Sequence, residues 1–348
     1  MRTTALIFII SFLGSLASQD KPNDKTASTQ VIPHLEEKID FTKNIVYAPT
    51  FRASWTMLKE DILHNNVIVG GAYQFGTMMN KSPYRPEHID DWVLHAGFVE
   101  EGIIENINSS LQSKFGISET DLDQFKDEKD AIICYSRFQK ALIFNYPFEE
   151  LEWDFECNGE SKRIKCFGVS KSGEREQTDE LKARNQQVRV YDYRNPDDFI
   201  VRLEGKEENK EIILAKVQPN KTIKETLITV LVRMQLAAPE ELIFLDEMVI
   251  PKINVNIEHS YDELSGQHLS NPGWTEYFFA RASQEIHFSL DETGAQGNAT
   301  GEIVKIKGPQ STLYIFDKPF LVIMKEKDVA EPDLVMWIAN TDYLTLTD

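Results

Sequence analysis

The segment "FDKPFLVIMKEKDVAEPDLVMWIAN", residues 316–340, lies close to the C-terminus of the chain. Two apolar runs flank a charged stretch, which predicts two antiparallel strands joined by a tight connection. Strands this apolar belong in a core, buried on both faces. We therefore expect the last part of the chain to lie in the core, and the role of the segment that precedes it depends on the pattern of that segment itself.

The preceding segment, "DETGAQGNATGEIVKIK", residues 291–307, has an unusual pattern of small residues. From Ala295 to Gly301, Ala and Gly alternate with polar side chains, and Ile303 continues the same face. Because neighbouring side chains of a strand point to opposite faces, an extended segment would turn mostly tiny groups to one side. Gly and Asn are poor strand formers, so the segment would be weakly held alone but could enter a crowded sheet. Composition alone favours a simpler interpretation, a surface loop of small residues.

Composition indicates a globular chain with an acidic exterior. The 348 residues are 41% apolar and 27% charged, enough for one large core or two smaller ones. The formal charge of −19 is spread along the chain, and a field of that sign repels nucleic acid and anionic membranes. We expect no nucleic-acid partner and a solvated acidic surface.

The N-terminus has the pattern of a secretory signal. Arg2 precedes a short apolar run over residues 5–13, and the small residues Ser15 and Ala17 follow. We predict cleavage after Ala17, which removes a signal peptide over 1–17. The apolar run is too short to span a bilayer, and no other run approaches the required length. Residues 18–33 are polar and predict a disordered leader. Because of the signal peptide, the mature protein is expected outside the cytoplasm.

The remaining chain, residues 34–348, is predicted to form one α+β domain. Residues 50–64 carry apolar side chains at helical spacing, and a second helical stretch covers 86–116 and ends at Gly116. From residue 131 the chain contains many short strand candidates, interrupted by a helix over 221–235. Helices first and strands later are typical of α+β folds.

Motifs for catalysis, metal binding and cofactor binding are absent from the sequence. There is no nucleophile elbow, zinc-protease motif, phosphate loop or dinucleotide turn. The histidines are scattered, and no Cys or His pairs have zinc-ligand spacing. We therefore expect no enzyme activity, no metal and no cofactor.

Three cysteines and four sequons are candidate modification sites. Cys157 and Cys166 flank an Asn158-Gly159 turn in a predicted hairpin, and either a disulfide between them or two free buried thiols fits this placement. The glycosylation candidates, which matter only if the source glycosylates exported proteins, are Asn80, Asn108, Asn220 and Asn298.

Six short motifs, in order along residues 44–340, resemble those of the serpin family of serine-protease inhibitors. In the first half of the chain they are "NIVYAP" (44–49), which resembles the family's entry to an N-terminal helix, and "AIICYSRF" (131–138) with "YPF" (146–148), which resembles the central strand of the main sheet and its exit. In the second half they are "PKI" (251–253) with "SYDEL" (260–264), "DETG" (291–294), "FDKPFL" (316–321) and "LVMWIAN" (334–340).

The resemblance implies a fold and a mechanism. N-terminal helices would precede a large mixed sheet and smaller sheets, and a reactive-centre loop, residues 294–313, would precede the last two strands. A serine or cysteine protease would cleave this loop, which would then insert into the main sheet and trap the enzyme as an acyl intermediate. The implied hinge residues are Glu292, Gly294, Ala295, Gly297 and Ala299. The candidate scissile region is Lys307, Gly308 and Pro309, with Lys307 suited to a trypsin-like protease. A monomer, secreted or periplasmic, would act alone.

Several departures from the family pattern keep a second function open. The interval from Asn44 to Ala131 is markedly shorter than usual, which predicts missing helices and missing outer strands of the main sheet. Phe144 replaces the usual Trp beneath the hinge, Trp337 replaces a Gly, and Pro309 follows the residue that counting from Glu292 makes the scissile one. The alternative is a non-inhibitory binding or carrier protein with the same fold.

Overall fold

The computed structural model describes residues 28–170, 179–243, 246–294 and 311–347. The α-helices in this part of the chain are α1 (Thr50–Met57), α2 (Tyr73–Lys81), α3 (Ile103–Phe115), α4 (Asp179–Asn185) and α5 (Ile223–Leu236). The strands are β1 (Thr29–Val31), β2 (Asn44–Tyr47), β3 (Trp92–Phe98), β4 (Ala131–Ala141), β5 (Glu149–Cys157), β6 (Glu160–Val169), β7 (Val188–Asn195), β8 (Asp198–Glu204), β9 (Lys210–Lys216), β10 (Glu240–Glu241), β11 (Glu247–Pro251), β12 (Ile253–Ser260), β13 (Phe278–Leu290), β14 (Leu313–Ile315), β15 (Phe320–Glu326) and β16 (Leu334–Ile338).

The predicted C-terminal strands form a buried hairpin inside the largest sheet. This sheet has the order β1-β2-β16-β15-β9-β8-β7-β10, and β15 pairs antiparallel with both β16 and β9. Val322 and Met324 pack into the main core, whereas Leu321 and Ile323 pack on the opposite face, where α5 lies. Since both faces are covered, the strands are apolar without alternation, as the sequence segment 316–340 indicated.

A four-stranded sheet, in the order β12-β13-β4-β3, contains the only long parallel pair in the described residues, β4 with β13. The resemblance placed 131–138 at the centre of the large sheet. The strand is indeed central, but its sheet has four strands in the described chain, and the eight-stranded sheet is a different one. The shortening between Asn44 and Ala131 accounts for this, because that interval supplies only β3 to the sheet.

Helices cover both faces of the four-stranded sheet. Phe51 and Trp55 of α1 pack with Cys134 on one face. Ile107 and Leu111 of α3 pack with residues of β3 and β4 on the other. The helix predicted over 86–116 is therefore wrong in its first half, where Trp92–Phe98 form a strand. Its end is confirmed, because Gly116 caps α3 with a φ of 68°.

The third sheet, β14-β11-β6-β5, packs on the eight-stranded sheet through a shared core. Phe155 and Phe167 from this sheet lie in one cluster with Phe199 and Phe316. The parallel pair β14–β11 places the end of the predicted reactive-centre loop at the edge of this sheet. The α+β architecture with one large and two smaller sheets agrees with the sequence prediction.

The prediction of a disordered leader over 18–33 is wrong at its C-terminal end. Thr29–Val31 form β1, which pairs in parallel with β2, and the Ile32 amide donates to the Val46 carbonyl at 3.0 Å. Ile32 is fully buried, so its side chain supplies core contacts that the polar composition of the segment did not reveal. The signal peptide over 1–17 and residues 18–27 lie outside the described part of the chain.

Candidate functional site

The first part of the predicted hinge, residues 291–294, follows the end of β13 at Leu290 and passes beside the segment that follows β4. The Phe144 amide donates to the Thr293 carbonyl at 3.0 Å, and the Phe148 amide donates to the Glu292 carbonyl at 3.1 Å. Gly294 forms a parallel bridge with Phe144, which bridges Gly205 on its other side. Backbone hydrogen bonds therefore hold residues 291–294 at the C-terminal ends of β4 and β13, where the predicted reactive-centre loop begins.

Gly294 approaches the neighbouring backbone too closely for any side chain. A Cβ built on Gly294 would lie 2.4 Å from the backbone nitrogen of Pro147 and 2.7 Å from the carbonyl carbon of Tyr146. Backbone atoms cannot rotate away as a flexible side chain can, so the chain would have to shift. Gly294, singled out in the sequence as a hinge residue, is thus required by close packing.

Replacing Gly294 should loosen the hinge. We expect Gly294→Ala to lower the free energy of unfolding by about 1–3 kcal/mol, because an added methyl group would overpack the contact with Pro147. Urea unfolding measures the loss. The matched control is Thr293→Ala at the exposed neighbouring position. Equal stability of both variants would contradict the close contact.

An ion-paired lysine holds the start of the hinge. Lys252, between β11 and β12, binds Glu292 at 2.6 Å and Glu150 of β5 at 2.7 Å. Burial alone would lower the pKa of Lys252, but its hydrogen bonds to the two carboxylates outweigh burial, and the pKa is raised. The ammonium group therefore stays charged and links the hinge to the edge strand β5. Sequence reasoning named Glu292 but missed its partner, because Lys252 is 40 positions away and only the fold brings the two together.

Aromatic rings pack beneath the hinge. Phe144 is fully buried and contacts Phe148 edge-on, with ring centroids 4.7 Å apart, and Phe167 of β6 lies 6.0 Å from it. The sequence predicted Phe144 at this place. Its ring fills the space between the hinge and the third sheet, which fixes the hinge against the core.

The seam between β4 and β13 is the part of the sheet that the hinge overlies. The two strands pair in register from Phe278 opposite Ala131 to Ser289 opposite Ala141, with one bulge between Phe279 and Arg281. On the α1 face, the side chain of Gln284 makes two hydrogen bonds. Its Nε2 donates to the Ala48 carbonyl at 2.8 Å, and its Oε1 accepts from the Tyr261 hydroxyl at 2.9 Å. This buried glutamine links β13 to the segment that leads into α1, and no sequence motif marks it.

The far end of the predicted loop is anchored at the third sheet. The Thr312 amide donates to Asp246 Oδ1 at 2.9 Å, and β14 follows, in parallel register with β11. Both ends of the segment are therefore fixed on the body of the protein. The hinge residues Ala295, Gly297 and Ala299, the candidate scissile residues 307–309 and the sequon Asn298 lie outside the described residues.

The disulfide candidate is not formed, and the alternative of two free thiols holds. In the β5–β6 hairpin, Cys157 lies opposite Glu160 and Cys166 lies opposite Leu151. Cys166 is six positions further along β6 than Glu160, roughly 20 Å at the rise of a strand, which no disulfide can bridge. Both cysteines are buried and free, and burial raises the pKa of the Cys166 thiol to about 12.

The three sequons in the described chain differ in environment. Asn80 donates to the Val67 carbonyl at 2.8 Å and accepts from Trp55 Nε1 at 3.1 Å. Asn108 exchanges two hydrogen bonds with the backbone of Glu119. Asn220 is exposed at the start of α5, so among these three it is the most accessible to a glycosylating enzyme.

The described residues carry few features typical of other functional classes. No three His, Cys, Asp or Glu side chains there are arranged to hold a metal ion. None of the helices in that part of the chain combines the length and apolar character needed to cross a membrane.

Comparisons with known proteins identify the fold. The sequence matches no family model and no curated protein. Among solved structures, a tumour-suppressing serpin matches with a TM-score of 0.55 at 10% identity, covering 85% of this chain and 92% of that one. Native protease nexin-1, solved with heparin, gives 0.53 at 9% identity over 86% and 93%. Serpin-12 of Manduca sexta gives 0.51 at 12% identity over 85% and 92%. The chain therefore has the serpin fold, as the order of its motifs predicted.

Proposed function

We propose that this serpin-fold protein inhibits a serine or cysteine protease by serving as its suicide substrate. The protease would cleave the segment 294–313 and form an acyl-enzyme. The freed N-terminal half of the segment would then enter the sheet between β4 and β13, carrying the protease with it before deacylation. The protein would act as a monomer outside the cell, or in a periplasm, after removal of the signal peptide over 1–17.

The observation that carries this proposal is the direction of the two seam strands. β4 and β13 run parallel, side by side, and the hinge turns the chain at the end of β13. A strand folded back from Gly294 between them would run antiparallel to both. One parallel ladder would become two antiparallel ladders, and antiparallel pairing is slightly more stable per residue. The free energy released by this change would do the mechanical work of trapping.

The pattern of small residues supports the same proposal. Ala295, Gly297 and Ala299 alternate with polar residues, so over 295–301 one face of an inserted strand would carry only hydrogen atoms and methyl groups. Side chains this small can enter the sheet with little rearrangement of the side chains that pack on its faces.

Incubation with trypsin and with papain tests the proposal. We expect a complex of the protein with one of these enzymes that survives denaturing electrophoresis, with cleavage at Lys307 in the trypsin reaction. The matched control is Ala295→Glu, whose charged side chain would block entry into the sheet without creating a new trypsin site. This variant should be cleaved at the same bond without forming the complex. Cleavage of the wild-type protein without any complex would contradict inhibition of these enzymes.

The four-stranded sheet favours one alternative function, a non-inhibitory binding or carrier protein. β3 is the edge of this sheet in the described chain, where the resemblance implied further strands. A narrower sheet offers less packed surface to hold an inserted strand. Under this alternative, cleavage in 295–310 would leave the thermal stability of the protein unchanged.

A further inference from the structure

A buried cluster of charged and polar side chains crosses the seam on its α3 face. Glu285 of β13 lies directly opposite Arg137 of β4, and their exposed fractions are only 7% and 9%. Arg137 Nη1 pairs with Glu285 Oε2, and the Tyr135 hydroxyl donates to Glu285 Oε1. Two side chains from β4 thus hold one carboxylate of β13, and each of these contacts spans the line along which the sheet would open.

Neighbouring groups hold the cluster in place. His287 Nε2 lies 3.3 Å from Glu285 Oε2, and Arg137 donates to Gln139 Oε1 at 2.9 Å. The Arg137 guanidinium also lies over the ring of Phe115, 5.5 Å from its centroid, at the end of α3. Contacts from both strands and from α3 therefore hold these side chains in place. If the sheet opened, the side chains could not keep their contacts across the seam by changing rotamer alone.

The carboxylate of the cluster stays ionised. Burial would raise the pKa of Glu285, but the hydrogen bond from His287, the charge of Arg137 and the hydrogen bond from Tyr135 outweigh burial and lower it. Further titratable groups surround the cluster. Glu258 of β12 lies opposite Glu285 in register. Glu119 lies beyond α3, and its pKa is raised by burial and by Glu285. His95 lies on β3, and burial lowers its pKa. A charged, desolvated pair is costly to break, because each partner left alone is an uncompensated buried charge.

We propose that Glu285, Arg137 and Tyr135 form a latch that keeps β4 and β13 together until the reactive-centre loop, residues 294–313, is cleaved. To admit a strand, the two must separate by one further strand spacing, about 4.8 Å, and the latch contacts must break. The latch would thus set the rate at which the sheet opens. This inference rests on the proposed function for its purpose, but the opening it controls can be measured without any protease.

A second buried ion pair provides the comparison. Lys325 of β15 lies 3.3 Å from Glu211 of β9, with side-chain exposures of 11% and 10%. This pair also joins neighbouring strands and is equally buried, but it lies in the eight-stranded sheet, away from the seam. If buried pairs acted only through global stability, removing either pair would loosen the whole molecule in the same way.

Native-state hydrogen exchange of the intact protein separates the two roles. In Glu285→Gln we expect amides of 134–138 and 283–287 to exchange on the order of 100-fold faster, because local opening no longer breaks the charge pair. Amides of 212–214 and 321–324 report the loss of global stability that the unpaired, buried Arg137 causes in this variant. The milder variant Tyr135→Phe removes one cross-seam hydrogen bond and should give about a fivefold increase at the same amides. The control Glu211→Gln should leave the seam amides unchanged.

The outcomes are distinct. Faster exchange of the seam amides in the latch variants, but not in Glu211→Gln, supports the latch. Equal acceleration of the seam amides in Glu285→Gln and Glu211→Gln, or unchanged seam amides in both latch variants, overturns it. A synthetic peptide with the sequence of residues 295–308 adds a separate arm. We expect it to enter Glu285→Gln faster than the wild-type protein on native gels. Entry into neither protein would count against the proposed insertion, whereas the exchange rates alone decide the latch.

Discussion

Cleavage between Lys307 and Gly308 is expected to raise the midpoint of thermal unfolding by roughly 20 °C. The reason is the gain of a new strand. If the cleaved segment enters between β4 and β13, one ladder is replaced by two, which adds about ten backbone hydrogen bonds at ~1 kcal/mol each. For a domain of this size, each kcal/mol shifts the midpoint by about 2 °C.

Scanning calorimetry before and after limited trypsin treatment measures this shift. The control is again Ala295→Glu, cleaved under the same conditions, in which the blocked segment should leave the midpoint unchanged within a few degrees. A cleaved wild-type protein with an unchanged or lowered midpoint would show that the segment stays outside the sheet. That result would favour the non-inhibitory binding protein.

Removal of the Trp337 side chain should produce the largest loss of stability among the single substitutions considered. Trp337 of β16 is 3% exposed, contacts Phe41 edge-on at 5.5 Å and donates from Nε1 to the Phe41 carbonyl at 3.0 Å. We expect Trp337→Ala to cost about 3–5 kcal/mol, because a large cavity would remain between the eight-stranded sheet and the segment that carries Phe41.

Chemical denaturation of three variants tests the source of this loss. A cycle of Trp337→Ala, Phe41→Ala and the double variant should give a coupling energy of about 0.5–1.5 kcal/mol from the ring contact. A loss below 1 kcal/mol for Trp337→Ala would contradict its role as a core residue. The contact also explains the departure from the family pattern noted in the sequence, because a glycine at 337 would leave Phe41 without a partner.

The elements that the sequence predicted well are those with strong local signals. The hairpin of β15 and β16 was visible because its strands are continuously apolar, and α5 and the end of α3 were visible because helical spacing and Gly116 mark them. The order of short motifs carried the fold, although no family model matches the sequence. At the site, the motif around Glu292 and Gly294 predicted a hinge. The backbone contacts of both residues place them beside the segment after β4, and their role as a hinge stays a prediction.

The failures have physical causes. Trp92–Phe98 was predicted as a helix because a strand covered by α1 and α3 loses the alternation that identifies strands. Ile32 sits in a polar stretch, so its burial depends on pairing with β2 and not on local composition. Of the two alternatives for Cys157 and Cys166, the disulfide is excluded because the tight turn at Asn158-Gly159 places Cys157 opposite Glu160 and leaves Cys166 far along the strand. Lys252, Gln284 and the latch residues were missed because each depends on contacts between distant parts of the chain.

The distance across the seam tests the central claim most directly. In the uncleaved protein, Arg137 and Glu285 occupy neighbouring strands and are paired in register. A crystal structure of the protein cleaved at Lys307 should show these strands about 9.6 Å apart, twice the strand spacing, with residues 295–307 running antiparallel between them. Strands that remain paired in the cleaved protein, with Arg137 still bound to Glu285, would contradict the account.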